Sequence, residues 1–310
     1  MSKLSAVLPL FISLGALIAA DGPIPPRATQ PAAAASIRVS VNMALVPVTV
    51  LDAAGRNVTG LAPGNFRVID GSKPTPIASF SLEDQPVSVG LVFDCSGSMR
   101  EKFLTARSAP AELYNQLNEG DESLLITVSN SPVMRQGLTA NLEEIQNALV
   151  FTYPAGATSL VDGVYLGLAK LKMAHNPRKA LIVVSDGGDN NSRYTLNELT
   201  KLAMESDVQI FTIGLHENPR TVEEAAGPQL LENLARASGG VSYLVSDINR
   251  LRTVMGQIGV TLHNQYVLGY YPPPDAPSGK YRKIKVQLLL PSDLPPLRIF
   301  ARAGYYAPDK

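Results

Sequence analysis

Three short stretches of this chain carry oxygen side chains placed to hold a hard cation. The first, 89–99, reads VGLVFDCSGSM: an apolar run of strand length ends at Asp94, and Ser96 and Ser98 follow at steps of two. In extended backbone, residues i, i+2 and i+4 face the same way, so these oxygens are expected to aim at one point beyond the strand's carboxyl end. The second, AGATSLVDG, sets Thr158 just before an apolar helical stripe. The third, VVSDGGDN, ends a strand at Asp186 as abruptly as Asp94 ends the first. Apart from the thiol of Cys95, the three loops offer neither nitrogen nor sulfur, a donor set that favours Mg²⁺, Mn²⁺ or Ca²⁺ over zinc or copper. Two carboxylates balance a dication, hydroxyls add ligands without over-neutralising it, and an open position can take a carboxylate from another molecule. Singly, each loop has a plainer reading. Ser96 or Ser98 caps the next helix, Ser159-x-x-Asp162 resembles a capping box, and Asp186-Gly187-Gly188 is a turn.

Three such loops meet only if the strands before them lie in one sheet. Over 87–263 the apolar runs VSVGLVF, SLLITVS, KALIVVS, VQIFTIGL and VSYLV alternate with amphipathic helical patterns, the grammar of a mostly parallel sheet covered on both faces. In such a sheet the loops at the carboxyl edge gather where ligands bind. Phe103, Ala106, Leu113 and Leu117 form one helical stripe, which Pro110 kinks or splits; Leu160, Val164, Leu168 and Leu171 form another. Further helices are expected near 195–205, 228–237 and 248–262, the second stopped by Gly239-Gly240.

On either side the pattern is β. Short strand-like runs fill 37–86, with Asp70-Gly71 as a hairpin signal. Similar runs fill 264–310, where Ile284, Val286 and Leu288 alternate with polar residues. Each flank alone is too small for a stable sheet, so the two ends are expected to pair as a small sandwich around the α/β unit. Residues 1–20 read as a secretory signal: Lys3, an apolar run, then small residues before Asp21. The run also touches the lower limit of about 17 residues for a membrane-spanning helix, so a retained anchor is the second reading. Residues 21–36, DGPIPPRATQPAAAAS, read as a Pro/Ala-rich linker.

Composition narrows the function. The 310 residues are 45% hydrophobic and 17% charged, enough for a large core. With 27 basic residues against 27 acidic ones and no dense basic run, nucleic acid is not an expected partner. Cys95 is the single cysteine, so no intramolecular disulfide forms. It reads as a small, partly buried residue without a redox role, and His175, His216 and His263 as scattered surface residues with no metal-ligand spacing. Asp189 and Asn190 read as a solvated loop beside the site, and Tyr270 as sheet packing.

The motif DCSGS, the Thr in GATS and the SDG after an apolar strand resemble the metal-ion-dependent adhesion site of von Willebrand factor A domains, whose pattern is Asp-x-Ser-x-Ser, Thr, Asp. The resemblance places the metal ligands at Asp94, Ser96, Ser98, Thr158 and Asp186. It implies a Rossmann-like α/β fold, and at Cys95 it departs from the small polar residue, often Thr, expected there. The flanks PVTVLDAAGRNVTGLAPGNFRVIDG, YVLGYYPPPDAPSGKYRKIKVQL and ARAGYY resemble the VWFA-related acidobacterial-type family. Together these resemblances imply an exported or cell-envelope adhesion module that binds a divalent cation, Mg²⁺ foremost, and captures an acidic side chain of a protein partner. A structural envelope component with a fold-stabilising ion is the alternative. A metal-assisted hydrolase of phosphate esters is disfavoured: there is no Asp-x-Asp, no Walker loop, no GxGxxG after a strand, and no G-x-S-x-G around Ser96 or Ser98. No small-molecule substrate is expected.

Overall fold

The computed structural model describes residues 43–83, 85–216, 222–273, 280–291 and 295–306. The export signal over 1–20, the linker over 21–36 and most of the PPPDAPSG turn lie outside them. The chain opens with β1 (Ala44–Leu51), β2 (Phe66–Asp70), β3 (Lys73–Thr75) and β4 (Ile77–Glu83). As Asp70-Gly71 suggests, β2 and β3 form a hairpin, and Gly71 has the positive φ of 64° that its turn requires.

The middle of the chain builds a six-stranded sheet from β5 (Val87–Asp94), β6 (Glu122–Val128), β7 (Pro132–Thr139), β8 (Arg178–Ser185), β9 (Val208–Leu215) and β10 (Ser242–Val245), in the order β10-β9-β8-β5-β6-β7. All neighbours are parallel except β6 and β7. Helices cover both faces. Short α1 (Phe103–Ala106) and α2 (Pro110–Tyr114), α3 (Leu142–Val150) and α7 (Leu251–Leu262) share one apolar cluster. The other face is covered by α4 (Leu160–Leu171), α5 (Leu196–Glu205) and α6 (Val222–Ser238). Every residue of β5 and β9 is buried, the reason their sequences read as continuous apolar runs. Pro110 splits the first helical stripe in two by opening α2, where its missing N–H removes no helical hydrogen bond.

The two chain ends do pair. β11 (Gln265–Tyr270), β12 (Tyr281–Leu288), β13 (Arg298–Ala301) and β14 (Gly304–Tyr306) interleave with the opening strands in two antiparallel sheets, β13-β1-β11-β4 and β14-β12-β2-β3. Val46, Val48, Phe66, Val68, Tyr266, Leu268 and Ile284 fill one core between them. Buried Asp70 pins that core: its carboxylate accepts from Tyr270 Oη at 3.1 Å, Tyr305 Oη at 3.0 Å and Arg282 Nε at 2.7 Å.

The structure corrects several expectations. β7 and α3 were not expected, and α6 begins before Pro228 and carries that proline in its interior. His263 is not a surface residue. Its ring, at the end of α7, is almost wholly buried, with Nε2 3.0 Å from the buried Asp121 carboxylate. Asp121 also accepts the backbone N–H groups of Val87 at 2.8 Å and Asn118 at 2.7 Å, tying β5, the β6 approach and α7 together.

Burial raises the Asp121 pKa, but hydrogen bonds from His263, Val87 and Asn118 more than offset this and hold it below its ordinary 3.8. Its stabilising effect is therefore present above about pH 4 and lost as the pH falls further. Asp121→Ala should lower the unfolding free energy by about 2–4 kcal/mol at pH 7, measured in urea, and by clearly less near pH 3.

Candidate functional site

β5 and β8 are hydrogen-bonded neighbours, and they flank the point where the chain stops adding strands on one side of β5 and begins on the other. The crevice beyond the carboxyl ends of such strands is where open α/β sheets bind ligands. Register puts Phe93 opposite Val184, so Asp94 and Asp186 leave adjacent strands at the same edge. Asp94 is 0% exposed and Asp186 3%.

Their surroundings differ. Asp94 is held on both sides: Ser185 Oγ donates to Oδ2 at 2.6 Å, and the Ser96 backbone N–H donates to Oδ1 at 2.9 Å. Ser185 Oγ in turn accepts the Gly187 N–H at 2.9 Å. Burial, then the nearby charge of Asp186, pushes the Asp94 pKa up to about 6, although Ser185 and Ser96 pull it down. Both Asp186 carboxylate oxygens are buried and have no hydrogen-bond partner among the described residues. The charged group beside it is Lys102, whose Nζ lies 3.8 Å from Oδ2.

Ser96 and Ser98 come together with their hydroxyls 3.0 Å apart, but not by strand alternation. The strand stops at Asp94, and Ser98 sits exposed in a short 3₁₀ turn, Gly97–Glu101. Ser96 stands at the N-cap of that turn and makes no side-chain capping bond, so the plain capping reading fails there. It fails at Ser159 too: its hydroxyl donates to the Ser129 carbonyl at 2.6 Å, and Asp162 accepts the N–H groups of Arg193 and Tyr194.

The Thr158 loop is bound to both of its neighbours. Gly97 N–H donates to the Gly156 carbonyl at 2.9 Å, joining it to the first loop. Gly156 has φ +84°, and any Cβ there would lie 2.5 Å from the Asn130 side chain. Thr158, 4% exposed, donates its N–H to Asn190 Oδ1 at 2.9 Å, and its carbonyl accepts the N–H groups of Asn190 and Asn191. Asp189 Oδ1 accepts Val161 N–H at 3.3 Å, and Ser192 Oγ accepts Asp162 N–H at 3.1 Å, so the third loop caps α4. Asp189 and Asn190 thus support the Thr158 loop and α4 while lying in a solvated loop, Asn190 exposed and Asp189 half-buried. Gly187, φ +88°, packs against Gly227 so closely that a Cβ would sit 2.4 Å from the Gly227 Cα, which fastens the Asp186 loop to α6.

The structure therefore brings Asp94, Ser96, Ser98, Thr158 and Asp186 onto three mutually bonded loops at one sheet edge. Sequence reading missed Ser185, Lys102 and Asn130, and placed Asn190 beside the site without its bond to Thr158. Of the missed residues, Ser185 left a trace, as the residue before Asp186 at the end of an apolar run expected in the same sheet as the run that ends at Asp94. Cys95 is buried among apolar side chains, and burial followed by the Asp94 charge pushes its thiol up to about 12, far from reactive. An all-oxygen set with two buried carboxylates, one of them lacking any donor, fits a hard dication. Among the described residues there is no cluster of three or more His, Cys, Asp and Glu, and no helix long and apolar enough to cross a membrane.

The model of the von Willebrand factor type A domain matches residues 88–257. No curated protein matches the chain. Among solved structures, a von Willebrand factor type A protein from Catenulispora acidiphila aligns at 14% identity and TM-score 0.51, over 86% of this chain and 73% of that one. Proximal thread matrix protein 1 from the mussel byssus aligns at 16% and 0.50, over 62% of this chain and 49% of its own. The von Willebrand factor domain of the type V pili tip protein Mfa5 from Porphyromonas gingivalis aligns at 13% and 0.47, over 59% and 96%. At these identities the likeness is one of fold.

Because folding raises the Asp94 pKa from 3.8 to about 6, the folded chain in chelator binds a proton that the unfolded chain has released, and its stability falls as pH rises between those values. Asp94→Asn should raise the melting temperature in chelator at pH 7.5, by up to about 3 kcal/mol of stability, and match wild type near pH 4. Equal loss of stability at both pH values would show that Ser185 and Ser96 fully compensate the carboxylate.

Proposed function

Because this chain belongs to the von Willebrand factor type A domain family, we propose that its sheet-edge loops hold a divalent cation, Mg²⁺ foremost, and that the site captures an acidic side chain of a protein partner. The observation that carries this reading is the Asp186 carboxylate, buried with neither oxygen bonded and set beside a second buried carboxylate. Burying a carboxylate with no hydrogen-bond donor costs free energy even with the Lys102 ammonium nearby, and a second buried carboxylate beside it adds to that cost. Asp94 and Asp186 supply the negative charge, the buried Ser96 and the exposed Ser98 a pair of neighbouring hydroxyls, and Thr158 a further oxygen. Ser185 fixes the Asp94 carboxylate, and Asn190 fixes the Thr158 backbone. A dication held there offers a hard Lewis-acidic position to a carboxylate oxygen from outside. The site is a capture surface rather than a reaction centre, with no histidine on its three loops to serve as a base. The reading extends to an exported chain working in the cell envelope, where the 1–20 segment would deliver it.

Titration calorimetry with Mg²⁺ tests the site. Wild type should bind, Thr158→Ala should bind at least tenfold more weakly, and Asp186→Ala should show no measurable affinity. An unchanged constant in Asp186→Ala removes the site. Pull-down from the cell envelope with wild type and Asp94→Ala, with and without chelator, tests capture. Partners lost in both the variant and the chelated sample support it, whereas capture that survives while chelation lowers the melting temperature would favour a purely structural ion.

A further inference from the structure

Lys102 is the residue between the 3₁₀ turn that carries Ser98 and the first residue of α1. A lysine so placed can extend into water at no cost in solvation, yet its side chain is only 16% exposed. Its ammonium reaches under the loops to lie 3.8 Å from Asp186 Oδ2, and it donates to the Leu215 carbonyl, at the carboxyl end of β9, at 3.4 Å. The Asp186 contact is an ion pair without a hydrogen bond, since neither oxygen of that carboxylate has a hydrogen-bond partner among the described residues. Lysine suits this role better than arginine: its ammonium is a compact point charge on a flexible stem, with no planar fork to lock a carboxylate in bidentate fashion. The Leu215 carbonyl gives it a second acceptor that does not depend on Asp186.

We propose that Lys102 is the built-in counter-charge of the metal-free site: it balances Asp186 until a dication arrives and sets the affinity for that dication by competing with it. This rests on the reading of Asp186 as a metal ligand. A cation of single charge that displaced the ammonium from Asp186 would gain the site no charge balance, whereas a dication brings one extra positive charge to a pair of carboxylates. Lys102 therefore acts as a specificity device, favouring Mg²⁺ over Na⁺ or K⁺ while weakening the absolute affinity for every ion.

The test compares wild type, Lys102→Met, Lys102→Gln, Lys102→Arg and Asp186→Ala by Mg²⁺ titration calorimetry, with thermal unfolding in chelator alongside. The expected result is Mg²⁺ binding at least tenfold tighter in Lys102→Met and Lys102→Gln, weaker than wild type in Lys102→Arg, whose fork would hold Asp186 more firmly, and measurable competition by Na⁺ only in the two neutral variants. In chelator the neutral variants should melt below wild type, because Asp186 then has no counter-charge, and Mg²⁺ should restore more of their melting temperature than it does for wild type. Binding by the neutral variants and not by wild type also supports the proposal. If Mg²⁺ binds wild type, is lost in Asp186→Ala and is unchanged or weaker in both neutral variants, the counter-charge is wrong and the metal site stands. If no variant binds, both are wrong.

Discussion

Two carboxylates buried at the ends of neighbouring strands are the constraint around which this molecule is arranged. A single buried Asp can be satisfied by donors, as Asp70 is by two tyrosine hydroxyls and an arginine. Asp94 is treated the same way by Ser185 and the Ser96 backbone. Asp186 is not, and this costs folding free energy that packing elsewhere must offset. The offset is visible in the sheet. β5, β8 and β9 are almost entirely apolar and covered on both faces, and α4 lies so close that a Cβ on Gly163 would sit 2.4 Å from Val128. A scaffold this rigid can hold two like charges together without loops that swing them apart.

The rigidity extends into the loops. Few of the bonds that position the candidate ligands come from the ligands' own side chains. They come from Asn130, Asn190, Asn191, Asp189 and Ser192, which spend their hydrogen-bonding capacity on backbone N–H and C=O groups of the other loops. The three loops behave as one bonded unit, and the hydroxyls of Ser96 and Ser98 stay clear of capping duty. Preorganisation of this kind lowers the entropy lost when a ligand is bound.

Much of this was legible in the residues, and the gaps have physical reasons. β5, β8 and β9 announced themselves because burial on both faces demands unbroken apolar runs, and the alternation over 284–288 marked β12 as a strand with one wet face. β7 went unread because it is an edge strand with half-exposed residues and neither signature. The start of α6 was missed because Pro228, which by local rules opens a helix, lies inside one. The five candidate positions were nominated from type and spacing, but the approach of Ser98 to Ser96 was inferred from strand geometry and is achieved by a 3₁₀ turn. Lys102, Ser185 and Asn190 matter only through neighbours remote in sequence, and His263 looked isolated because Asp121 is brought to it by the fold.

The interleaving of the chain ends has a consequence for how the molecule comes into being. β1 finds its partner β11 only after the entire α/β unit has been made, and β2 waits still longer for β12. Non-local pairings of this kind are slow, because the loop-closure entropy must be met before any ladder bond forms. The six-stranded sheet, with its local β–helix–β crossovers, can form first, and in doing so it brings Val87 and the end of α7 to the same Asp121 carboxylate. The insert thus acts as a template that closes the outer loop and delivers both ends in register. A chain emerging N-terminus first would leave β1 without a partner, and β2 with only β3 beside it, until β11 and β12 were made, the interval in which such a protein has most need of a chaperone.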